Sequence, residues 1–285
     1  MKVAAITMTY NEPDFLPIWV RHYVAQVGPK HCYVIDHGSD DGSTEALGEI
    51  NVVRIPRSPQ DEEKRARFIS KFCSSLLEWY DYVVHTDVDE IVVADPALYK
   101  SLREYCITST MDVVTAVGFN VVHTGEDLPI GPETNILKQR KWMYFLAPMF
   151  KPVLTRRPLE WTPGFHRARD VEPRFNDLYL FHLRLFDRDI GLRRLARTRN
   201  QPWVDPEACW WQRIPDEDCL RMFDAYANLK KNPDVKISNT SPELLDAISR
   251  TLGSAGGRLN EPDTFNDNFE VGELWQIPKR FGRVF

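Results

Sequence analysis

Trp79-Tyr80-Asp81-Tyr82-Val83-Val84-His85-Thr86-Asp87-Val88-Asp89-Glu90-Ile91 holds a short apolar run, Tyr82 to Val84, that ends in three acids, Asp87, Asp89 and Glu90. A short apolar run bounded by polar residues reads as a buried strand. Buried carboxylates without compensation are too costly to be incidental. The least costly way to hold Asp87 and Asp89 together at a strand end is a shared divalent cation. Oxygen donors suit Mg²⁺ or Mn²⁺, and such sites commonly hold a phosphate too. A solvated acidic turn would show the same Asp-x-Asp, so the weight comes from the residues around it.

Upstream, the pattern alternates. Lys2 to Met8 reads as a buried strand, and Asp14 to Val27 as a helix with Phe15, Ile18, Trp19, Tyr23, Val24 and Val27 on its apolar face. His31 to Ile35 and Val52 to Ile55 read as strands. A helix is expected to start near Ser43, and another runs from Glu62 to Trp79. Strand–helix alternation predicts an α/β fold, a mostly parallel sheet flanked by helices. Ligands of such sheets sit outside the carboxyl ends of the strands. The polar loops after residues 8, 35 and 86 should therefore converge on one rim.

Beyond residue 95 the order changes. A helix is expected over Pro96–Tyr105, with strands over Asp112–Val122, Met149–Thr155 and Leu178–Phe186. Residues 123–135 form a loop rich in Gly, Pro and acids. From about 189 the pattern is helical, and Ser241-Pro242-Glu243 is a helix start with Pro at the first position. The tail carries Phe265, Phe269, Trp275, Phe281 and Phe285 and is expected to pack back on the domain. The division is one α/β domain over 1–188, in two halves, 1–95 and 96–188. A mainly helical extension over 189–285 packs on it.

The 285 residues carry a net charge of −5, which argues against a nucleic-acid partner. Charge is uneven: residues 155–199 hold eleven Arg, no Lys and six acids. Arg at that density suits an anionic substrate. Arg193, Arg194, Arg197 and Arg199, however, are expected on a solvated helix face. The five Cys are odd in number and widely spaced, the pattern of a reducing compartment. No run is long enough to span a membrane, and Met1 is followed almost at once by a strand. The expectation is a cytoplasmic protein without a transmembrane segment, with room left for peripheral membrane contact.

Together these stretches resemble a glycosyltransferase of the GT-A type, in the family-2-like group. Ala4-Ala5-Ile6-Thr7-Met8-Thr9-Tyr10-Asn11-Glu12 is similar to that group's opening strand and Thr-Tyr-Asn-Glu loop. Val34 to Ser43 is similar to its second loop, with His37 where a second acid is common. Thr86-Asp87-Val88-Asp89-Glu90 resembles its D-x-D metal motif in the Asp-x-Asp-Glu form. The resemblance covers residues 2–95, with weaker echoes to about 190. It implies a nucleoside-diphosphate sugar donor, with Thr9, Tyr10, Asn11, Glu12, Asp36, Thr86, Asp87 and Val88 on the donor. It also implies Mn²⁺ or Mg²⁺ on Asp87 and Asp89, a carbohydrate or glycoconjugate acceptor, and transfer with inversion.

A late histidine often joins the metal or the diphosphate in this group, and His182 or His166 is that candidate here. Inversion needs a carboxylate base within hydrogen-bond reach of the acceptor hydroxyl. The candidates are Glu160, beside Trp161, and Glu126 and Asp127 in the loop after Val122; Asp170 and Glu172 complete the set. Two rivals stand beside this reading. One is a phosphohydrolase with Asp87 as nucleophile and Asp89 as acid, which leaves the Thr9–Glu12 loop unexplained. The other is an inactive GT-A-like binding module.

Overall fold

The computed structural model describes residues 1–131, 135–205, 207, 209–252 and 269–283. In chain order its main elements are β1 (Val3–Thr9), α1 (Leu16–Val27), β2 (Cys32–Asp36), β3 (Asn51–Arg54), α2 (Glu62–Leu76), β4 (Tyr82–His85) and β5 (Glu90–Ala94). Next come α3 (Leu102–Thr108), β6 (Val113–Val122), α4 (Ile136–Gln139), β7 (Trp142–Leu146), β8 (Lys151–Thr155) and β9 (Leu178–His182). The chain continues through α5 (Arg188–Asn200), α6 (Asp216–Ala227), β10 (Lys230–Asn232), α7 (Pro242–Thr251) and β11 (Glu270–Gln276).

The α/β class is as expected. The first half of the sheet runs β3-β2-β1-β4 with every neighbour parallel. Strands buried on both faces read as continuous apolar runs, and β1 is buried at every position. Its side chains alternate between layers: Val3 and Ala5 join the core that holds Trp19 and Tyr23 of α1, while Ala4, Ile6 and Met8 join that of Ala66, Ile69 and Cys73 of α2. Asp61 caps α2 by accepting from the Lys64 N–H, and Glu62 and Glu63 suit its positive first turn.

From β4 the sheet continues through β8, β6, β7, β11 and β10, and β9 pairs with both β5 and β6. The β5–β9 register sets Glu90 opposite His182, and the β6–β9 register sets Asn120 beside His182. A Cβ on Gly118 of β6 would fall 2.1 Å from the Met149 carbonyl oxygen, so glycine is what lets residues 147–149 cross so closely.

Several elements differ from the sequence reading. No helix forms near Ser43, because the Asp41 side chain accepts from both the N–H and the hydroxyl of Ser43 and closes a turn. The helix expected from Pro96 starts at Leu102, where Ser101 caps it. The strand expected over Leu178–Phe186 stops at His182, and β5 and β7 were not expected at all. The C-terminal region is helical as read, yet it adds β10 and β11 to the sheet beside β7. In the tail, Trp275 and Phe281 are core residues and Phe269 packs against the same core, with its ring 6.0 Å from that of Phe145. Phe265 and Phe285 lie outside the described residues. Among the described residues no helix is long and apolar enough to cross a membrane.

Candidate active site

A cleft of about 1090 Å³ opens beyond the carboxyl ends of β1 and β4. β1 runs out into Tyr10, Asn11 and Glu12, and β4 into Thr86 to Asp89. Of the residues expected on the donor or metal, Thr9, Tyr10, Asn11, Glu12, Asp87, Val88, Asp89, His166 and His182 line this cleft. Thr86 is buried behind it, where its hydroxyl accepts from the Trp19 indole N–H at 2.9 Å.

The acids at the end of β4 are each held by protein cations. Asp87 accepts from Arg65 of α2 and, at 2.9 Å, from Lys151 Nζ at the start of β8. Lys151 also lies 2.6 Å from Glu90, whose other oxygen accepts from the Asp87 N–H at 3.0 Å. Asp89 pairs with Arg194 of α5 and lies 3.1 Å from His182 Nε2. Arg194 reaches Glu12 as well, at 2.8 Å, and Arg197 lies 3.1 Å from both Glu12 and Asp14.

These pairs set the charge states. Burial alone would push the Asp87 carboxyl up, but Arg65 and then Lys151 outweigh it and hold it far below the usual carboxylate range. Burial acts likewise on Asp89, where Arg194 and His182 bring the carboxyl well down. Burial wins at Glu12 and Glu90, whose carboxyls stay above their usual range despite Arg194 and Lys151 respectively. Burial, and then Lys151, push His166 down to about 3, so its imidazole is neutral; among the described residues its Nδ1 has no hydrogen-bond partner.

His182 is oriented from behind. Its Nδ1 lies 2.7 Å from Asn120 Oδ1, and with the amide oxygen assigned to face the ring the proton sits on Nδ1. With a proton on Nε2 the ring donates to a carboxylate oxygen of Asp89, 3.1 Å away; without one, Nε2 aims a lone pair at that oxygen. Two acceptors face to face call for a proton or a metal ion between them, and an imidazole held at its other nitrogen is the usual form of a metal ligand. Two carboxylates and an imidazole are thus donors of the right kind for Mg²⁺ or Mn²⁺. Among the described residues, however, no three His, Cys, Asp or Glu side chains form a ready metal site. Arg65, Lys151 and Arg194 already engage the carboxylate oxygens.

The loop after β2 is built differently. Asp36 accepts from the Ser39 N–H at 2.7 Å and the Thr44 hydroxyl at 3.0 Å, and Arg54 Nε lies 3.2 Å away. It is 1% exposed and outside the cleft lining. Asn11 and Asp40 clasp the first and second loops, with Asn11 Nδ2 donating to Asp40 at 2.7 Å and the Asp40 N–H donating back at 3.0 Å. Tyr10 lies under Arg57, whose guanidinium is 3.7 Å from the ring centre and 3.0 Å from His37 Nδ1. His37 therefore orients a cation that covers Tyr10.

The three main base candidates stand outside the cleft lining. Glu126 is exposed and pairs with Lys231 at 3.1 Å. Asp127 accepts from the N–H and hydroxyl of Thr124. Glu160 is exposed, with Arg169 3.8 Å away. Sequence reading missed Arg65, Lys151 and Asn120. It also put Arg194 and Arg197 on a solvated helix face, whereas both pair with acids of the first loop. One signal was present: Lys151 opens the otherwise apolar run Lys151-Pro152-Val153-Leu154, and an inward lysine there needs counter-charges.

No family model matches the chain, and no curated protein matches it. Among solved structures it is similar to TarS of S. aureus, at 12% identity over 80% of this chain and 43% of that one, with a TM-score of 0.34. The mannosyltransferase PcManGT of Pyrobaculum calidifontis, in complex with GDP-Man and Mn²⁺, matches at 17% identity over 43% of this chain and 35% of its own, with a TM-score of 0.27. Glucosyl-3-phosphoglycerate synthase of Mycobacterium tuberculosis, in complex with Mn²⁺, UDP and glucosyl-3-phosphoglycerate, matches at 19% identity over 42% and 44%, with a TM-score of 0.28. The match spans less than half the length of each. Likenesses of this size carry no argument about this chain, whose chemistry has to come from its own residues.

Proposed function

We propose that this chain is a glycosyltransferase built on a GT-A-like sheet, which takes a sugar from a nucleoside-diphosphate sugar. One observation carries the reading: Asp87 and Asp89, at the carboxyl end of β4, meet Arg65, Lys151, Arg194 and His182 in a cleft continuous with the Thr9–Glu12 loop. Carboxylates and guanidinium groups side by side at a strand end suit a ligand that carries phosphates. Thr9, Tyr10, Asn11 and Glu12 then line the nucleoside end, with Tyr10 and Arg57 as a flat cationic stack against a base. Val88 floors the diphosphate.

Asp87 and Asp89, with His182 as a third donor, are the residues that would hold Mg²⁺ or Mn²⁺. A bound ion supplies neutralisation of the leaving diphosphate. In the transfer, an acceptor hydroxyl oxygen forms a bond to the anomeric carbon as the carbon–phosphate oxygen bond breaks. The electron pair leaves on the diphosphate, and the hydroxyl proton passes to a base. Direct displacement inverts the anomeric centre. Glu12 and Glu90 line the cleft, as Glu126, Asp127 and Glu160 do not, and either would take that proton only once released from Arg194 and Arg197 or from Lys151. The acceptor is read as a carbohydrate or glycoconjugate.

The phosphohydrolase alternative needs Asp87 free to attack phosphorus, and both of its oxygens are engaged by cations. A thermal-shift screen of UDP, GDP, ADP and CDP, with and without Mn²⁺, tests the reading. A rise in melting temperature with one or more of them supports it. No rise with any of them, together with phosphate release from simple phosphoesters, overturns it.

A further inference from the structure

Each arginine of α5 pairs with an acid: Arg188 with Asp224, Arg193 and Arg197 with Asp14, Arg194 with Asp89, and Arg199 with Asp216. Arg184, just before that helix, differs. It lines the cleft, and among the described residues its hydrogen-bond partner is the Trp211 carbonyl oxygen and no carboxylate pairs with it. The acid whose charge it feels, Asp89, is already taken by Arg194 and His182. A guanidinium stays charged all the same. A half-buried cation answered by one carbonyl is under-compensated, and an anion is the partner it lacks.

Its place along the cleft follows from α5. That helix has 13 residues and is about 20 Å long at 1.5 Å per residue. Its last turn leads into Gln201, which accepts from Arg57, the cation over Tyr10. Its middle supplies Arg194 to Asp89 and Glu12. Its first turn lies against Arg184, since a Cβ on Gly191 would fall 3.4 Å from the Arg184 carbonyl oxygen. The length of α5 thus separates Arg184 from the nucleoside loop, with the acids between them.

The walls around Arg184 are apolar. Leu185, Leu195 and Phe223 line the cleft from one small core cluster, and Met222 and Tyr226 pack on it. Trp211 also lines the cleft and is 42% exposed. The turn that presents it is held firmly. Cys209 enters it at φ 53°, in the left-handed region, and the N–H groups of Gln212 and Arg213 close it on the carbonyls of Cys209 and Trp210. The Trp211 carbonyl stays outside those bonds and takes Arg184 instead. An exposed indole beside a guanidinium offers a face for a sugar ring and a contact for one anionic group.

We propose that Arg184 and Trp211 form the acceptor end of this cleft and select an acceptor sugar that carries an oxyanion, a carboxylate or a phosphate. The ring stacks on Trp211, and the oxyanion pairs with the Arg184 guanidinium. The inference rests on the glycosyl-transfer reading above and gives that reading its acceptor class. Arg184 sets specificity and takes no part in the bond exchange itself.

Tryptophan fluorescence and calorimetry test this on the whole chain. The probes are methyl β-glucuronide, glucose 6-phosphate and the neutral methyl β-glucoside, each with and without UDP, GDP, ADP or CDP. At least one of the two anionic sugars should bind about tenfold more tightly than the neutral one, and which of them does so separates carboxylate from phosphate. Arg184→Gln should bring that ratio to about one, and Arg184→Lys should keep part of it. Trp211→Ala should weaken binding of all three sugars. Nucleotide affinity should stay within about twofold of the parent's in each variant, because the two ends of the cleft do not touch. Melting curves establish that each variant folds, and Arg184→Lys and Trp211→Ala carry the test if Arg184→Gln does not. Equal binding of charged and neutral sugars, no binding of any sugar at millimolar concentration, or a preference that survives in Arg184→Gln would overturn the proposal. Nucleotide affinity lost in Arg184→Gln would overturn it too, by moving Arg184 to the donor. An anionic preference without binding of any nucleotide would keep the sugar site and overturn the glycosyl-transfer reading.

Discussion

The loops after β2 and β4 look alike in sequence, each a run of acids at a strand end, and the fold uses them in opposite ways. In residues 36–44 the acids are satisfied mainly by neutral donors, with the exposed Arg54 3.2 Å from Asp36 as the added cation. Asp36 takes the Ser39 N–H and the Thr44 hydroxyl, Asp41 takes Ser43, and Asp40 clasps Asn11. In residues 86–90 the partners are charged and remote. Arg65, Lys151, His182 and Arg194 lie 22, 64, 93 and 105 residues away from the acids they hold. An acid held mainly by neutral donors has finished its work once the loop is shaped. An acid held by buried cations from other elements sits in a network that a charged ligand can rearrange.

The largest effect should come from breaking the second loop. Asp87→Asn or Asp89→Asn keeps the shape and removes the charge. Mn²⁺-dependent nucleotide binding should weaken by at least about 100-fold, beyond the 10–100-fold typical of outer-shell partners. Calorimetry measures it, and unchanged affinity in both variants would erase the distinction between the loops.

Asn120→Ala sharpens the comparison from behind, because it frees the His182 ring without touching an acid. Mn²⁺ affinity measured with nucleotide present should drop by roughly 10–100-fold. A His182 that is only a packing residue would give a lower melting temperature and unchanged Mn²⁺ affinity.

Asp36→Asn addresses the first loop. It keeps an acceptor for Ser39 but loses the charge beside Arg54, and should cost about 1 kcal/mol of stability in urea unfolding. Metal dependence of nucleotide binding should stay as in the parent. A change in metal dependence comparable to that of Asp89→Asn would put both loops on the same footing.

The smallest effect is a control outside both loops. Burial pushes His22 on α1 down to about 4, outweighing its hydrogen bond to the Val92 carbonyl. The unfolded chain, with a histidine pKa of about 6.5, binds that proton first. Stability is therefore lost as pH falls from about 6.5 toward about 4, and none is lost above that window. His22→Gln should remove this share, less than about 1 kcal/mol between pH 7 and pH 6. Urea unfolding at the two pH values measures it, and an unchanged pH slope would contradict the neutral buried imidazole.

Much of the first half was legible because parallel strands buried on both faces leave continuous apolar runs, as Val3–Met8 and Tyr82–Val84 do. The face of α2 was legible for a similar reason, through Phe68, Ile69 and Phe72. β5 was hidden because it begins on the buried acid Glu90, and β7 because nothing near it in sequence marks its partners. The acids of the site were visible at strand ends, and their cations were not. Pairings such as Arg194 with Asp89 span 105 residues, and Leu195 is the one buried residue of α5, so that helix carries no strong periodic signal. Glu126 and Asp127 are base candidates by sequence position, and Glu160 by the Trp161 beside it, which says little about side chains whose placement depends on non-local pairing.

The most direct measurement is release of nucleoside diphosphate from a panel of UDP-, GDP-, ADP- and CDP-sugars, by the parent chain and by Asp89→Asn at matched melting temperature. The account predicts Mn²⁺- or Mg²⁺-stimulated release from at least one donor, lost in Asp89→Asn. Release that persists undiminished in Asp89→Asn, or no release and no binding of any of these donors, would contradict it.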